Sequence, residues 1–185
     1  MSNCLILENS TLDNPFGTAM DSSPVWGYIV DGKLDIHHLK EALDKVVQHF
    51  PVFRARMHRD GKHLILTDKP EVSWIVIAHE ILLSQVFDLP PKSDSKVSVT
   101  PCDTVLRADF YIPRATTTVR RPSLADERTP LVEIRVQTFL DKTVVGLSWN
   151  HLLTDGGGMS FVVSAWTKAL RDESLPDVAP FDNPF

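Results

Sequence analysis

Two hydrophobic periods run along this chain, and the changes between them mark its elements. Residues 36–50 place Ile36, Leu39, Leu43, Val46, Val47 and Phe50 at intervals of three and four, which gathers them on one helix face. Asp35 stands at the N-cap position of that helix, and Pro51 stops it. A second helix is predicted over residues 159–170, with Met159, Val162, Trp166 and Leu170 turned to the core. Elsewhere the period falls to two. Residues 131–139 set Val132, Ile134 and Val136 against Glu133, Arg135 and Gln137, the pattern of a half-buried strand. An Asp141-Lys142 turn leads back into residues 143–150, where Val145, Leu147 and Trp149 share a face. His151 has the parity of those three if the strand continues to it. Shorter strands are predicted over 25–30, 72–77 and 105–112, and a short helix over 79–87. Residues 52–58 and 62–67 flank Asp60-Gly61 as a β-hairpin, while 90–101 and 113–130 read as loops.

The glycine distribution isolates one joint. Of eight glycines, three stand together at Gly156, Gly157 and Gly158, directly after His151-Leu152-Leu153-Thr154-Asp155. Asp31-Gly32 and Asp60-Gly61 are each followed by lysine and read as turns. The third pair, Asp155-Gly156, instead joins a strand to a helix. A histidine there is held by the strand while its imidazole faces outward, and its ordinary pKa near neutrality suits it to accept a proton from a hydroxyl or amine. A plainer reading exists: Asp155 caps the helix and the glycines let the chain bend. The bare His-x-x-x-Asp-Gly pattern arises by chance in roughly one shuffled sequence in forty, so it does not decide between them. Other chemistries fit less well. Gly158-Met159-Ser160-Phe161-Val162 lacks the closing glycine of a serine-hydrolase elbow, no Lys-Ser or Lys-Thr follows the glycines as a phosphate loop needs, and His151 with Asp155 is too small a set for a metal.

Composition narrows the classes further. The content is 43% hydrophobic and 23% charged in 185 residues, ordinary for one globular domain with a sizeable core. A net charge of −5 argues against a nucleic-acid binder, and the basic groups at Arg54, Arg56, Arg59 and Lys62 and at Arg120-Arg121 read as solvated faces. Cys4 and Cys102 make no disulfide framework or metal site. No leader of the secretory kind and no bilayer-length apolar run is visible, so the expected location is the cytoplasm and no membrane partner is expected. The other six histidines, His37, His38, His49, His58, His63 and His79, read as surface or structural residues.

The histidine turn, with its strand before and helix after, resembles the first signature of the BAHD acyltransferases. Further segments follow in that family's order. Leu12-Asp13 looks like its early Leu-Asp element, and Leu39-Lys40 through Phe50-Pro51, then Phe53-Arg54-Ala55-Arg56-Met57, are similar to its first helix and following strand. The resemblance implies an α/β (α+β layered) chloramphenicol acetyltransferase-like domain, a mixed sheet with flanking helices forming one half of a two-domain fold. Residues 1–175 would be the amino-terminal domain and 176–185 a linker or truncated end. His151 would match the catalytic base that deprotonates an alcohol or amine attacking an acyl-CoA thioester. Asp155 would match the aspartate that holds the turn through an ion pair, and Gly156 the glycine that keeps the turn open. No bound cofactor or metal is expected; acyl-CoA is a co-substrate, and a small-molecule acceptor the other.

The chain also departs from that family. Its members are more than twice as long, and their second signature, Asp-Phe-Gly-Trp-Gly, is absent here. A carboxy-terminal domain, in cis or from a partner chain, would therefore complete the channel. Two rivals follow: a catalytically inactive truncated relative acting as an interaction module, and a condensation-domain relative using carrier-bound thioesters. The latter usually has two adjacent histidines, and Asn150 fills the first position here.

Overall fold

A computed structural model describes residues 7–8, 24–57, 63–66, 72–86, 130–151 and 153–177. Leu12-Asp13, the Asp60-Gly61 turn, the strand at 105–112, the loops at 90–101 and 113–129, both cysteines and Arg120-Arg121 lie outside these residues.

The principal sheet has four strands: β2 (Val25–Asp31), β5 (Ser73–Ala78), β6 (Val132–Thr138) and β7 (Lys142–Trp149). Their order is β2-β7-β6-β5, with β5 and β6 parallel and the other pairs antiparallel. A smaller sheet joins β1 (Leu7–Glu8), β4 (His63–Leu66) and β3 (Ala55–Met57) in the order β1-β4-β3. Antiparallel pairing of Ala55 with Leu66 and Met57 with Leu64 bears out the two arms of the hairpin.

Helix α1 (Ile36–His49) forms as its periodicity predicts. The Asp35 carboxylate accepts hydrogen bonds from the amides of His37 and His38, satisfying two of the donors a helix start leaves free. These bonds, the His38 amide foremost, hold the exposed Asp35 below the ordinary carboxylate range. Leu39, Ala42, Leu43, Val46 and Val47 are buried. They pack with α2 (Gly156–Leu170), whose Met159, Val162, Ala165, Trp166 and Ala169 are also buried. Both helices lie on the sheet face that carries Ile134, Val136, Val145, Leu147 and Trp149, and together these make the core. Each fully buried Val or Leu there contributes roughly 1.5–3 kcal/mol. The Trp166 indole N–H donates to the Leu39 carbonyl at 3.0 Å, which ties one helix to the other. His38 Nε2 donates to the Leu170 carbonyl at 3.0 Å, at the helix C-terminus where carbonyls lack partners, and His49 Nε2 to that of Pro176 at 3.0 Å. These two histidines are structural.

Four expectations change. Residues 51–54 form a 3-10 turn rather than the start of a strand, because Pro51 favours the first helical position and the Phe53 amide bonds back to the Phe50 carbonyl. The helix expected over 79–87 is only the 3-10 turn Leu83–Gln85 among the described residues. Strand β6 is not half-buried: Glu133 and Gln137 are covered like Val132, Ile134 and Val136, so side chains on both its faces are packed. Arg56 is likewise buried, its guanidinium donating to the Ala55 carbonyl, and is not on a solvated face.

Candidate active site

Strand β7 ends at Trp149, and the chain turns at once. The Leu153 amide donates to the Asn150 carbonyl at 2.9 Å, closing a turn in which His151 occupies the second position. The strand therefore does not continue to His151, and its imidazole is placed by this turn rather than by strand parity. The turn is anchored to the sheet, because the Asn150 amide donates to the Leu131 carbonyl at 2.8 Å. His151 is half-buried; Asn150, Leu153 and Thr154 around it are buried. A partly accessible imidazole on a rigid, buried base is the arrangement a proton acceptor needs.

Asp155 is the N-cap of α2. Its backbone is extended, and Oδ1 accepts from the Gly158 amide at 2.8 Å, while its carbonyl accepts from the Met159 amide. The carboxylate is exposed and, among the described residues, makes no ion pair. The observed contact is thus the capping bond of the plainer reading.

The three glycines are the first residues of α2 and need no left-handed backbone; among the described residues Gly32, at φ 83, is the glycine that does. They differ instead in what surrounds them. A Cβ on Gly156 would meet Trp26 Cζ2 at 3.6 Å, an ordinary contact. On Gly157 it would stand 3.2 Å from Asp155 Oδ1, and on Gly158 it would overlap the Thr154 hydroxyl. Gly158 is the most crowded of the three, and the Thr154 side chain would have to turn to admit a Cβ there.

Two tryptophans support the turn from beneath. The buried Trp149 indole N–H donates to the Thr154 carbonyl at 3.0 Å, and its ring lies 6.4 Å from that of His151. Trp26, on the neighbouring strand, packs edge-on against Trp149 at 4.9 Å. Sequence reasoning placed Trp149 on the apolar strand face with Val145 and Leu147, took Gly158 only as one of three glycines that let the chain bend, and left Trp26 and Thr154 without a role. The available signal was chemical: a buried indole N–H requires an acceptor, and nearby backbone supplies one.

Away from the turn, His79 stacks on Phe139 at 4.6 Å and pairs with Gln137 Oε1 at 2.8 Å, and His37 faces Glu41 on the exposed side of α1. Among the described residues no cluster of three or more His, Cys, Asp or Glu is arranged to hold a metal, and no helix is long and apolar enough to cross a membrane. A cavity of about 670 Å³ opens between α1 and the start of β5, lined by Lys40, Asp44, Gln48, Val72, Ser73, Trp74 and Pro130; His151 does not line it.

A family model described as the Transferase family matches residues 29–183. The chain is similar to the acetyltransferase adrJ of Penicillium rubens, 27% identical over 182 residues, covering 89% of this chain and 35% of that protein. In structure it is similar to TRI101 of F. sporotrichioides, solved with coenzyme A and T-2, at a TM-score of 0.65 and 14% identity over 95% of this chain and 41% of that one. It is also similar to the condensation domain of the Monacolin K polyketide synthase MokA, at a TM-score of 0.57 and 12% identity over 88% of this chain and 32% of that one. The chain spans well under half the length of each. The structural likenesses bear out the expected chloramphenicol acetyltransferase-like fold, with a mixed sheet and flanking helices.

Proposed function

This chain belongs to the Transferase family, and on that footing we propose that it is the histidine-bearing part of an acyl-CoA-dependent acyltransferase. The observation that carries the reading is His151, half-buried in a turn anchored to the sheet at Asn150 and capped onto α2 through Asp155. Support for the donor comes from the coenzyme A bound in TRI101 and from the acetyltransferase relative.

The chemistry needs one base. His151 takes the proton from the acceptor's hydroxyl or amine as its oxygen or nitrogen bonds to the thioester carbonyl carbon. The tetrahedral intermediate collapses by breaking the carbon–sulfur bond, and the imidazolium returns the proton to the leaving thiolate. Products are an ester or amide and free coenzyme A. Asp155 and Gly156 act on geometry: the first fixes the start of α2, and the second keeps the turn open beside the substrate. The remaining wall of the channel comes from a carboxy-terminal domain, in cis or from a partner chain.

The test is thiol release from acetyl-CoA by the protein as its source makes it, with a panel of alcohols and amines. His151→Ala should lower turnover by about 10²- to 10⁴-fold while leaving the unfolding transition in place. A wild-type protein that never releases thiol with any acceptor, yet forms a stable complex with another chain, would show an interaction module instead.

A further inference from the structure

We propose that Trp149 is a positioning residue for His151, acting through the hydrogen bond from its indole to the Thr154 carbonyl. The inference deepens the reading of His151 as the base and rests on it. Trp149 immediately precedes the turn and Thr154 lies just beyond it, so this one bond spans the segment that carries the histidine. It works with two backbone bonds, Asn150 to Leu131 and Leu153 to Asn150, which fix the near side of the turn. Without the indole, the bonds left on the far side among the described residues are those of Asp155 to the Gly158 and Met159 amides, which order the helix start rather than the histidine.

The bond is costly to lose. Both Trp149 and Thr154 are buried, so removing the donor leaves a carbonyl in the interior without that partner. The indole is itself immobilised. Trp26 packs edge-on against it at 4.9 Å, and the ring belongs to the core beneath α2. Core packing is thereby transmitted to the far side of the turn through a directional contact. The indole does not touch the reacting atoms; it determines where the imidazole, 6.4 Å away, stands. A displacement of about 1 Å in a catalytic group can cost about 10²-fold in rate without preventing substrate binding.

The experiment compares the full protein with two variants at position 149. Trp149→Phe keeps an aromatic ring and deletes the N–H. Replacing Trp149 with benzothienylalanine keeps the bicyclic shape and also deletes the N–H, so it decides the matter if Trp149→Phe does not fold. The readouts are kcat and KM for acetyl-CoA and acceptor, and the NMR signal of the His151 ring. The expected result is a folded variant with kcat reduced about 10- to 100-fold, KM changed by less than about three-fold, and a shifted or broadened His151 signal while the other six histidine rings keep theirs. Folded variants with wild-type kcat and an unmoved His151 signal overturn the proposal. Should the wild type show no transfer activity, the acyltransferase reading fails, and the His151 ring signal of the benzothienylalanine variant, whose bicycle keeps a ring current close to the indole's, alone decides the positioning role: an unmoved signal overturns it, and a moved one sustains it.

Discussion

The Thr154 hydroxyl lies where a Cβ on residue 158 would stand. The contact joins the residue just beyond the histidine turn to the first turn of α2, and it accounts for a glycine that backbone conformation does not, since Gly158 is helical. Gly158→Ala should destabilise the protein by about 1–3 kcal/mol, the usual range for overpacking, despite alanine's better helix propensity. Thr154→Ala in the same chain should recover part of the loss by removing the hydroxyl. Urea unfolding of the single and double variants measures this; equal stability of Gly158→Ala and wild type contradicts the packing argument.

Gly156 behaves differently. Among the described residues, its added Cβ would meet Trp26 Cζ2 alone, at 3.6 Å. Gly156→Ala should therefore fold with unchanged or slightly raised stability. If the missing side chain keeps the turn open beside the substrate, kcat/KM should nonetheless fall at least about ten-fold, a loss of about 1.4 kcal/mol of transition-state stabilisation. A fully active Gly156→Ala removes this residue from the site.

These two glycines show how far sequence reasoning reaches. The run of three was plain, but each glycine looked alike until Thr154 and Trp26 were placed beside them. Helix α1 was legible because its apolar face repeats at helical spacing and both its ends carry boundary residues, Asp35 and Pro51. The strand pattern of β6 was legible too. Its second face was not, because the burial of Glu133 and Gln137 depends on packing that no local alternation encodes. Val52 and Phe53 have strong β propensity, yet the turn imposed by Pro51 prevails. His151 could be singled out by its neighbours, whereas the indole that braces it could not, because Trp149 reads simply as the last buried residue of a strand.

Asp155 tests two roles at once. As the N-cap of α2 it bonds the Gly158 amide, and Asp155→Ala should cost about 1 kcal/mol, within a range of 0.5–2. Asparagine caps about as well as aspartate, so Asp155→Asn should retain stability. If the family's ion pair also operates in the complete protein, Asp155→Asn should lose activity as Asp155→Ala does. Thermal unfolding together with thiol release separates the two roles. An Asp155→Ala variant as stable as wild type contradicts the cap.

Glu133 gives the chain a pH dependence unrelated to the histidine turn. Burial pushes its carboxyl up to about 7 from an ordinary 4.5, with the charge of Arg135 and a hydrogen bond from Ser73 pulling only partly back. Between pH 4.5 and about 7 the folded state holds a proton that the unfolded chain has released, so stability falls as pH rises through this window. The contribution is full below the unfolded value and lost above the folded one, a span of about 3 kcal/mol at ~1.4 kcal/mol per pKa unit. Glu133→Gln removes the titration and retains an acceptor for Ser73. It should flatten the pH dependence of the urea midpoint between pH 5 and pH 8 and leave the variant more stable than wild type at the upper end. An identical slope in both proteins would mean that Glu133 ionises at its ordinary pH in the folded state, which its burial opposes.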